Sequence, residues 1–530
     1  MMNNLRRFIS IAILAVAPLT GQAQRQPVAD SVAPWQGRVD EVMHLIDGFY
    51  TESPDMERMS TEAINAMLKA LDPHSIYIPA KDVERANEGL QGNFEGVGIS
   101  FQIVSDTIVV QSVIDGGPSE KVGIMIGDKL LRIDSVAATG DSINNQFVFT
   151  HLRGKKGTTV SIDVLRQGQV YTFEIVRDKV PIYSIDTYFM VDDSIGYIRL
   201  IRFARTSVRE FDKAVRTLKR QGMKALMLDL RGNSGGFLDI AYGMANEFLD
   251  RGKLVVYQEG RMTRRQDFRS SGSGNWRKGR LVVLIDEGSA SASESVSGAV
   301  QDWDRGTLVG RRTYGKGLVQ RMFPLSDGGQ VRLTTARYFT PSGRCIQRPY
   351  DDGTDAYRDD INLRFRHGEL VNIDSIHLPD SLKFHTAAGR TVYGGGGIMP
   401  DVFVPMDTMR LSDYYISLRG KGLLNSFPLQ WADQHRSAPE VATFDDFLAH
   451  YDSFGLDSLL AKAAMERGVV RDLEKEAAEP ERIAHSDRYM ALMLKAQVAK
   501  DLFGIEYYYK VMKDADDGFQ RALEVIKKQL

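Results

Sequence analysis

The sequence predicts a multidomain protein that combines α/β and α+β architecture. The first observation is length, because 530 residues exceed what one hydrophobic core usually accommodates. The second is a change of pattern, from short β-rich runs over residues 86–178 to alternating strands and helices over residues 195–340. The third is helical periodicity beyond Asp407. We therefore expect a β-rich domain, a core of mixed sheet and helices, and a C-terminal helical region.

Composition excludes several classes of function. Hydrophobic residues make up 43% and charged residues 26%, which is ordinary for a soluble globular protein. A net charge of −2 argues against nucleic-acid binding. Cys345 is the single cysteine, so an intramolecular disulfide is impossible, and we interpret it as a half-buried apolar residue. The nine histidines show no metal-binding spacing, so we expect no metal and no cofactor.

The first 23 residues have the pattern of a secretory signal peptide. Arg6 and Arg7 precede the apolar run 8–18, and small residues at 21–23 offer a cleavage site. The run is short for a membrane span, so an uncleaved anchor is the weaker interpretation. We expect export, to a periplasm or alternatively to an extracellular or membrane-associated location, with no stable membrane insertion after cleavage.

The elements follow in order from local patterns. Residues 24–85 predict an N-terminal helical segment, because Val39, Val42, Met43, Ile46 and Phe49 recur at helical spacing. The β-rich stretch predicts five strands and one helix: 98–104, 107–113, 129–133, 144–152 (helix), 159–166 and 170–177.

The core begins with a strand at 196–200 and a helix opened by the capping box of Ser207 and Glu210. Buried strands at 225–230 and 281–285 flank a helix at 237–249 and a strand at 254–257. A second capping box, Ser291 and Glu294, opens a later helix. Further strands are predicted at 307–309, 318–323, 330–339 and 402–404.

Ser291 is the candidate nucleophile. It follows a buried strand, where α/β sites lie, and the helix that starts after it directs backbone N–H groups toward a developing negative charge. The simpler interpretation is a helix N-cap, and Ser289 and Ser293 are equally eligible.

Lys316 is the candidate base, because it lies between Gly315 and Gly317, where little side-chain bulk surrounds it. A lysine base must be neutral, and burial favours that form. Gln320 can orient the amine through a neutral hydrogen bond, whereas a carboxylate would keep it protonated. Most lysines are only solvated surface residues.

Two other motifs compete. Gly232–Gly236 matches G-x-S-x-G, so Ser234 could serve a Ser-His-Asp hydrolase with His367, His377 or His385. Alternatively, this turn supplies an N–H from Gly235 or Gly236 to an oxyanion hole. Residues 310–316 match the P-loop pattern G-x-x-x-x-G-K, but Gly317 stands where that pattern requires Ser or Thr. Nucleotide binding is therefore not expected.

Together these motifs strongly resemble the carboxyl-terminal processing peptidases, also called tail-specific proteases. The matching segments are 228–236, 287–294 and 309–320, within a similarity that extends from Leu71 to Pro405. The resemblance implies Ser291 as nucleophile, Lys316 as base and Gln320 as its positioning residue. It also implies that Ala292 and a glycine of the pair Gly235 and Gly236 donate to the oxyanion. It argues against Ser234 as the nucleophile.

The resemblance also identifies residues 86–178 as similar to a PDZ domain, with Gly96, Val97, Gly98 and Ile99 as its carboxylate-binding loop. It implies a peptidase core over 179–405, followed by a C-terminal helical domain over 406–530. The implied function is a Ser-Lys endopeptidase that recognises apolar C-terminal tails of proteins. Its expected partners are substrates with free C-termini and a second copy of itself, but not nucleic acid.

Overall fold

The computed structural model describes residues 33–104, 106–409 and 411–529, so the predicted signal peptide at 1–23 lies outside the described residues. The chain divides into two units, residues 1–64 and 65–530. The first unit contains α1 (Ala33–Phe49) and most of α2 (Met56–Lys69). No helix in the described ranges has the length and apolarity needed to cross a membrane.

The second unit begins with β1 (Ile76–Ile78) and α3 (Ala80–Gln91). β1 forms an antiparallel pair with a core strand, in which Ile76 lies opposite Arg332. The segment predicted as helical over 24–85 therefore contains a strand that belongs to the core. Pairing with a strand about 250 residues away is invisible to local periodicity.

The β-rich region has its own small core under a five-stranded antiparallel path, β3-β4-β5-β7-β8. β2 and β9 form a separate pair at its base. Its elements are β2 (Asn93–Gly96), β3 (Ile99–Val104), β4 (Thr107–Val113), α4 (Pro118–Val122), β5 (Lys129–Ile133), β6 (Val136–Ala137), α5 (Asn145–Leu152), β7 (Thr159–Arg166), β8 (Gln169–Val176) and β9 (Asp178–Pro181).

The core alternates strands and helices as predicted. Its elements are β10 (Ile185–Met190), β11 (Ile195–Leu200), α6 (Ser207–Arg220), β12 (Ala225–Asp229), α7 (Leu238–Asn246), β13 (Leu254–Glu259), β14 (Gln266–Arg269), β15 (Arg280–Ile285), α8 (Ala292–Asp302), β16 (Thr307–Gly310), β17 (Leu318–Pro324), β18 (Gln330–Phe339), α9 (Thr354–Arg366), β19 (Lys383–His385), β20 (Thr391–Tyr393) and β21 (Val402–Phe403).

A six-stranded sheet positions the candidate site. Its order is β10-β11-β12-β15-β16-β21, and every pair except β10 with β11 is parallel. Side chains alternate between two buried faces, so Leu226 and Leu228 pack with α6, α7 and α8, whereas Met227 packs on the opposite face. The carboxyl ends of β12 and β15 therefore meet at one edge.

A second sheet carries the lysine segment. It has the order β1-β18-β13-β14, and β17 pairs with β18 through the predicted turn at 327–329. β17 begins two residues after Lys316, so this sheet holds the candidate base beside the first sheet.

The C-terminal region is helical, as predicted. It contains α10 (Asp413–Gly420), α11 (Leu423–His435), α12 (Phe444–His450), α13 (Leu456–Glu466), α14 (Leu473–Ala478), α15 (Pro480–Phe503), α16 (Ile505–Met512) and α17 (Asp517–Gln529). Helices α10 to α13, α15 and α16 share one apolar cluster, but Phe519, Ala522 and Ile526 of α17 pack on the core sheet. The last helix thus contacts the core sheet, although the sequence analysis grouped it with the C-terminal helical domain over 406–530.

Candidate active site

Ser291 lies on a constrained turn between β15 and α8. Its backbone has φ 54° and ψ −109°, a left-handed conformation that typically costs a non-glycine residue about 1–3 kcal/mol. The predicted capping box stabilises the turn, since the Ser291 N–H donates to Glu294 Oε2 at 2.7 Å. The residue is only partly buried, so its hydroxyl remains accessible at the carboxyl end of a parallel strand.

The structure gives the three eligible serines different surroundings. Ser289 Oγ donates to Leu230 O at 2.8 Å, and Ser293 Oγ donates to Asn233 O at 2.7 Å. Both residues are fully buried. Within the described residues, Ser291 Oγ donates to no acceptor, so it is the hydroxyl that is free to react.

Glu294 joins the nucleophile segment to the lysine segment. Besides the Ser291 N–H, its carboxylate accepts from Thr313 Oγ1 at 2.6 Å, Gly315 N at 2.7 Å and Lys316 N at 2.9 Å. Burial raises the pKa of the Glu294 carboxyl, and these hydrogen bonds oppose that rise. From the sequence, Glu294 was predicted only to cap the helix. Its hydrogen bonds to residues about 20 positions away cannot be read from local spacing.

Tyr338 connects the same two segments through their carbonyl groups. Its buried hydroxyl lies 2.9 Å from Ser291 O and 2.8 Å from Lys316 O, so it can donate to either. The sequence did not predict a functional role for Tyr338, because it lies within a run of residues typical of a strand.

Two opposing influences act on the amine of Lys316. Burial lowers the pKa of its amine from the ordinary value, while the charges of Asp72 and Glu294 oppose the shift. Lys316 Nζ donates to Gln320 Oε1 at 3.0 Å. Among the described residues, no hydrogen bond joins Lys316 Nζ to Ser291 Oγ, and such bonds commonly tighten only when substrate binds.

Gln320 is itself held in place by His74, which the sequence analysis did not select. Gln320 Nε2 donates to His74 O at 2.5 Å, which leaves Oε1 directed at Lys316. Asp72 fixes this loop by accepting from the backbone N–H groups of His74 and Ser75. The Asp-Pro-His-Ser sequence at 72–75 could have indicated this fixed loop, because Asp side chains commonly accept a hydrogen bond from the backbone N–H two residues later.

The His74 ring is also enclosed. Its Nε2 lies 3.0 Å from Tyr357 Oη. Burial, followed by the charge of Lys316, lowers the pKa of His74 to about 4. The ring is therefore neutral at physiological pH and adds no second cation beside the amine.

The Gly235 and Gly236 turn packs against the nucleophile turn. A Cβ added to Gly235 would lie 2.9 Å from Ser291 Cβ and 3.0 Å from Ala292 N, and one added to Gly236 would lie 2.1 Å from Phe203 O. Both glycines also have positive φ angles, 102° and 154°. The turn therefore requires glycine at both positions.

The two glycines differ in the state of their N–H groups. Gly235 N donates to Asn233 Oδ1 at 2.9 Å, so that donor is already occupied. The N–H groups of Gly236 and Ala292 have no acceptor within the described part of the chain. Ala292 follows Ser291 directly, and the Gly235–Gly236 turn packs against Ser291, so both free donors lie in segments that adjoin the candidate nucleophile.

The predicted carboxylate-binding loop lies apart from this site. Gly98 has φ 84°, and the N–H groups of Val97 and Gly98 donate to no acceptor among the described residues. Val97, Gly98 and Ile99 line a cavity of about 1120 Å³, whereas Gly96 is paired with Asp178.

The competing motifs gain no support from the geometry. Ser234 is exposed, and in the described ranges no hydrogen bond joins it to a histidine. A strand, β17, follows Lys316, where a P-loop requires a helix. No cluster of three or more metal-ligating side chains occurs in the described residues.

Comparison with known proteins identifies the family of this chain. Residues 194–354 match peptidase family S41. A carboxy-terminal-processing protease of Bartonella bacilliformis is 33% identical over 346 residues, covering 64% of this chain and 78% of that protein. This chain belongs to peptidase family S41. It is a serine-type peptidase, and the predicted family and enzyme class are confirmed.

Further matches cover other parts of the chain and include one solved structure. A probable CtpA-like serine protease of Staphylococcus aureus is 32% identical over 311 residues, covering 58% of this chain and 62% of that protein. Residues 96–176 match the PDZ domain, and residues 414–504 match a family of unknown function. The structure of a photosystem II D1 C-terminal processing protease covers 70% of this chain and 86% of its own, with 27% identity and a TM-score of 0.37. The predicted fold class is confirmed, since this S41 peptidase combines mixed sheets, a PDZ domain and a helical C-terminal region.

Proposed function

We propose that this S41 peptidase is an exported endopeptidase that captures apolar C-terminal tails of proteins in its PDZ domain and cleaves them with a Ser291–Lys316 dyad. The main support for the dyad is that the Glu294 carboxylate accepts hydrogen bonds from the backbone N–H groups of both Ser291 and Lys316. In addition, burial lowers the pKa of Lys316, and its amine donates to Gln320. Two segments about 25 residues apart in sequence are thereby held as one unit.

The proposed reaction begins when neutral Lys316 Nζ removes the proton from Ser291 Oγ, which attacks the scissile carbonyl carbon. The N–H groups of Ala292 and Gly236 stabilise the tetrahedral oxyanion. As the C–N bond breaks, Lys316 returns the proton to the leaving amine and an acyl-enzyme forms. Water, deprotonated by the same amine, then attacks the ester and releases the acid and Ser291.

Tail capture is supported by the free N–H groups of Val97 and Gly98 and by apolar groove residues such as Phe101 and Val148. A C-terminal carboxylate suits such a loop, and the preceding residues can add as a strand to β3. The curated relatives in Bartonella bacilliformis and Staphylococcus aureus are named as carboxy-terminal-processing or CtpA-like serine proteases. Export is supported only by the residue pattern of the first 23 positions.

The test is cleavage of a disordered protein with an apolar free C-terminus, followed by mass spectrometry of the fragments. We expect Ser291→Ala and Lys316→Ala to abolish cleavage without changing the melting temperature. Ser234→Ala is the matched control and should retain activity. Cleavage by either dyad variant at the parent rate would refute the mechanism, and inactive Ser234→Ala would favour the competing nucleophile. Appearance of a mature N-terminus at Gln24 in an exported fraction tests the localisation.

A further inference from the structure

The cavity at the carboxylate-binding loop is built by three regions of the chain. The PDZ domain contributes Val97, Gly98 and Ile99. The peptidase core contributes Arg202, which follows β11, and the junction of α15 and α16 contributes Phe503 and Ile505. Tail recognition therefore need not depend on the PDZ domain alone.

Three cationic side chains line this cavity, and two of them already have partners. Arg153 forms an ion pair with Glu88. Lys500 Nζ lies 3.5 Å from Asp501 Oδ1 and donates to Gln497. Arg202 differs, since among the described residues its guanidinium makes no ion pair or hydrogen bond. Its Nε is buried and lacks any acceptor.

The acidic side chains of the cavity do not neutralise Arg202. Asp186 accepts from Tyr509 Oη at 2.7 Å and lies 3.9 Å from Arg199 Nε. Asp115 is solvent-exposed. A partly buried guanidinium without an anionic partner is costly, and an incoming carboxylate would supply the missing acceptor.

We propose that Arg202 is a tail-binding residue that the peptidase core adds to the PDZ groove, where its guanidinium binds a carboxylate of the substrate tail. This inference rests on the proposed tail recognition. The carboxylate has two sources, the free C-terminus itself or an acidic side chain close to it. Both make the same charge-assisted pair with arginine.

The position of Arg202 separates it from the reacting atoms while keeping it near the catalytic turn. The next residue, Phe203, donates through its N–H to Gly235 O at 3.0 Å, and its carbonyl accepts from Phe237 N at 3.1 Å. Arg202 therefore has a fixed backbone, while its side chain lines the groove. Its removal should weaken tail binding and raise KM, but leave kcat largely unchanged.

Fluorescence anisotropy on the full chain with Ser291→Ala tests the proposal, because that variant binds without cleaving. The probes are four labelled peptides that share an apolar C-terminal sequence. They carry either a free or an amidated C-terminus, and either Glu or Gln four residues before it. Arg202→Gln is compared with Arg202→Lys and with Arg209→Gln, which changes an exposed arginine on α6.

We expect Arg202→Gln to weaken binding of the preferred peptide about five- to tenfold, a typical effect for one partly buried charge pair. Arg202→Lys should recover part of this loss, and Arg209→Gln should match the parent. If the loss disappears with the amidated peptides, Arg202 binds the C-terminus; if it disappears with the Gln peptides, Arg202 binds the acidic side chain.

An equal affinity of Arg202→Gln and parent for every peptide would overturn the inference while leaving tail recognition intact. If the parent itself binds none of the peptides, tail recognition fails and the inference fails with it. Thermal melting of each variant identifies misfolding. If Arg202→Gln misfolds, the test rests on Arg202→Lys, whose peptide affinity and KM in the cleaving enzyme are compared with those of the parent.

Discussion

The molecule has two places where glycine turns leave backbone N–H groups free for an oxygen anion, and they are built differently. At the peptidase site, Gly236 is pressed against Phe203, and the facing turn is fixed by Glu294 and Tyr338. At the PDZ loop, a Cβ on Gly98 would meet Pro118 Cδ at 3.2 Å, a looser contact than the 2.1 Å at Gly236. The first turn is tightly packed, whereas the second borders a cavity.

The difference fits the two anions of the proposed function. The oxyanion would exist only in the short-lived tetrahedral intermediate and the transition states around it, so its donors must be in place before the reaction. A tail carboxylate is a stable group whose binding needs affinity and tolerates small adjustments. Substitutions in the two turns should therefore affect different kinetic constants.

Among substitutions in the two turns, the largest expected effect is that of Gly236→Ala. The added methyl group would clash with Phe203 O and displace the free N–H, so kcat should fall by about 10²–10³-fold, as for loss of an oxyanion donor. Tail binding measured by anisotropy should fall much less, because the clash reaches the neighbouring Arg202 only through the backbone. A loss of tail affinity as large as the loss of kcat would show that the two turns are not independent.

Glu294→Gln tests the bracing of the catalytic turn. Glutamine has one acceptor oxygen in place of two and presents an NH₂ group to N–H donors, so about 1–3 kcal/mol of stability should be lost per unpaired group. We expect kcat to drop by roughly a hundredfold, because 2–3 kcal/mol of positioning energy corresponds to that factor. Tyr338→Phe, which removes one hydroxyl from the same pair of segments, is the milder comparison. Kinetics and chemical denaturation of both variants measure the two effects.

Gln320→Glu tests the protonation of the base. Cleavage requires neutral Lys316, so kcat/KM should rise with pH through the pKa of the amine, which burial places below the ordinary 10.5. A carboxylate beside the amine would raise that pKa by about 1–3 units and move the rising limb to higher pH. A pH profile of the variant that overlays the parent would contradict the assigned base.

The smallest expected effect is that of Gly98→Ala. Its positive φ makes alanine unfavourable by about 1–2 kcal/mol, and the added methyl group would lie 3.2 Å from Pro118 Cδ, a milder conflict than at Gly236. Tail affinity should fall about five- to twentyfold as the loop N–H groups turn away, while kcat at saturating substrate should not change. A lower kcat with normal affinity would reverse the roles given to the two turns.

The sequence predicted most of the elements and the main chemical groups. Alternating patterns located β12 and β15, and the capping box placed the start of α8 within one residue. Ser291, Lys316 and Gln320 were selected from spacing and family resemblance, and the structure brings Lys316 and Gln320 into direct contact. The roles of these residues and of the domain boundaries remain predictions.

His74, Tyr338 and Arg202 escaped the sequence analysis for one physical reason. Each acts through a partner distant in sequence, such as Gln320 for His74, and local periodicity carries no information about such contacts. The same limit applies to α17, whose apolar stripe was visible but whose partner, the far face of the core sheet, was not.

By itself the sequence determined many of the strands and helices, that a serine turn precedes a helix, and that glycines surround a lysine, because backbone preference and side-chain periodicity are local properties. Only the tertiary structure decided which of three serines keeps a free hydroxyl and which of two glycines keeps a free N–H. It also decided which arginine in the tail cavity has no partner. Hydrogen-bond satisfaction is set by the packing of distant segments, so it appears only when the chain has folded.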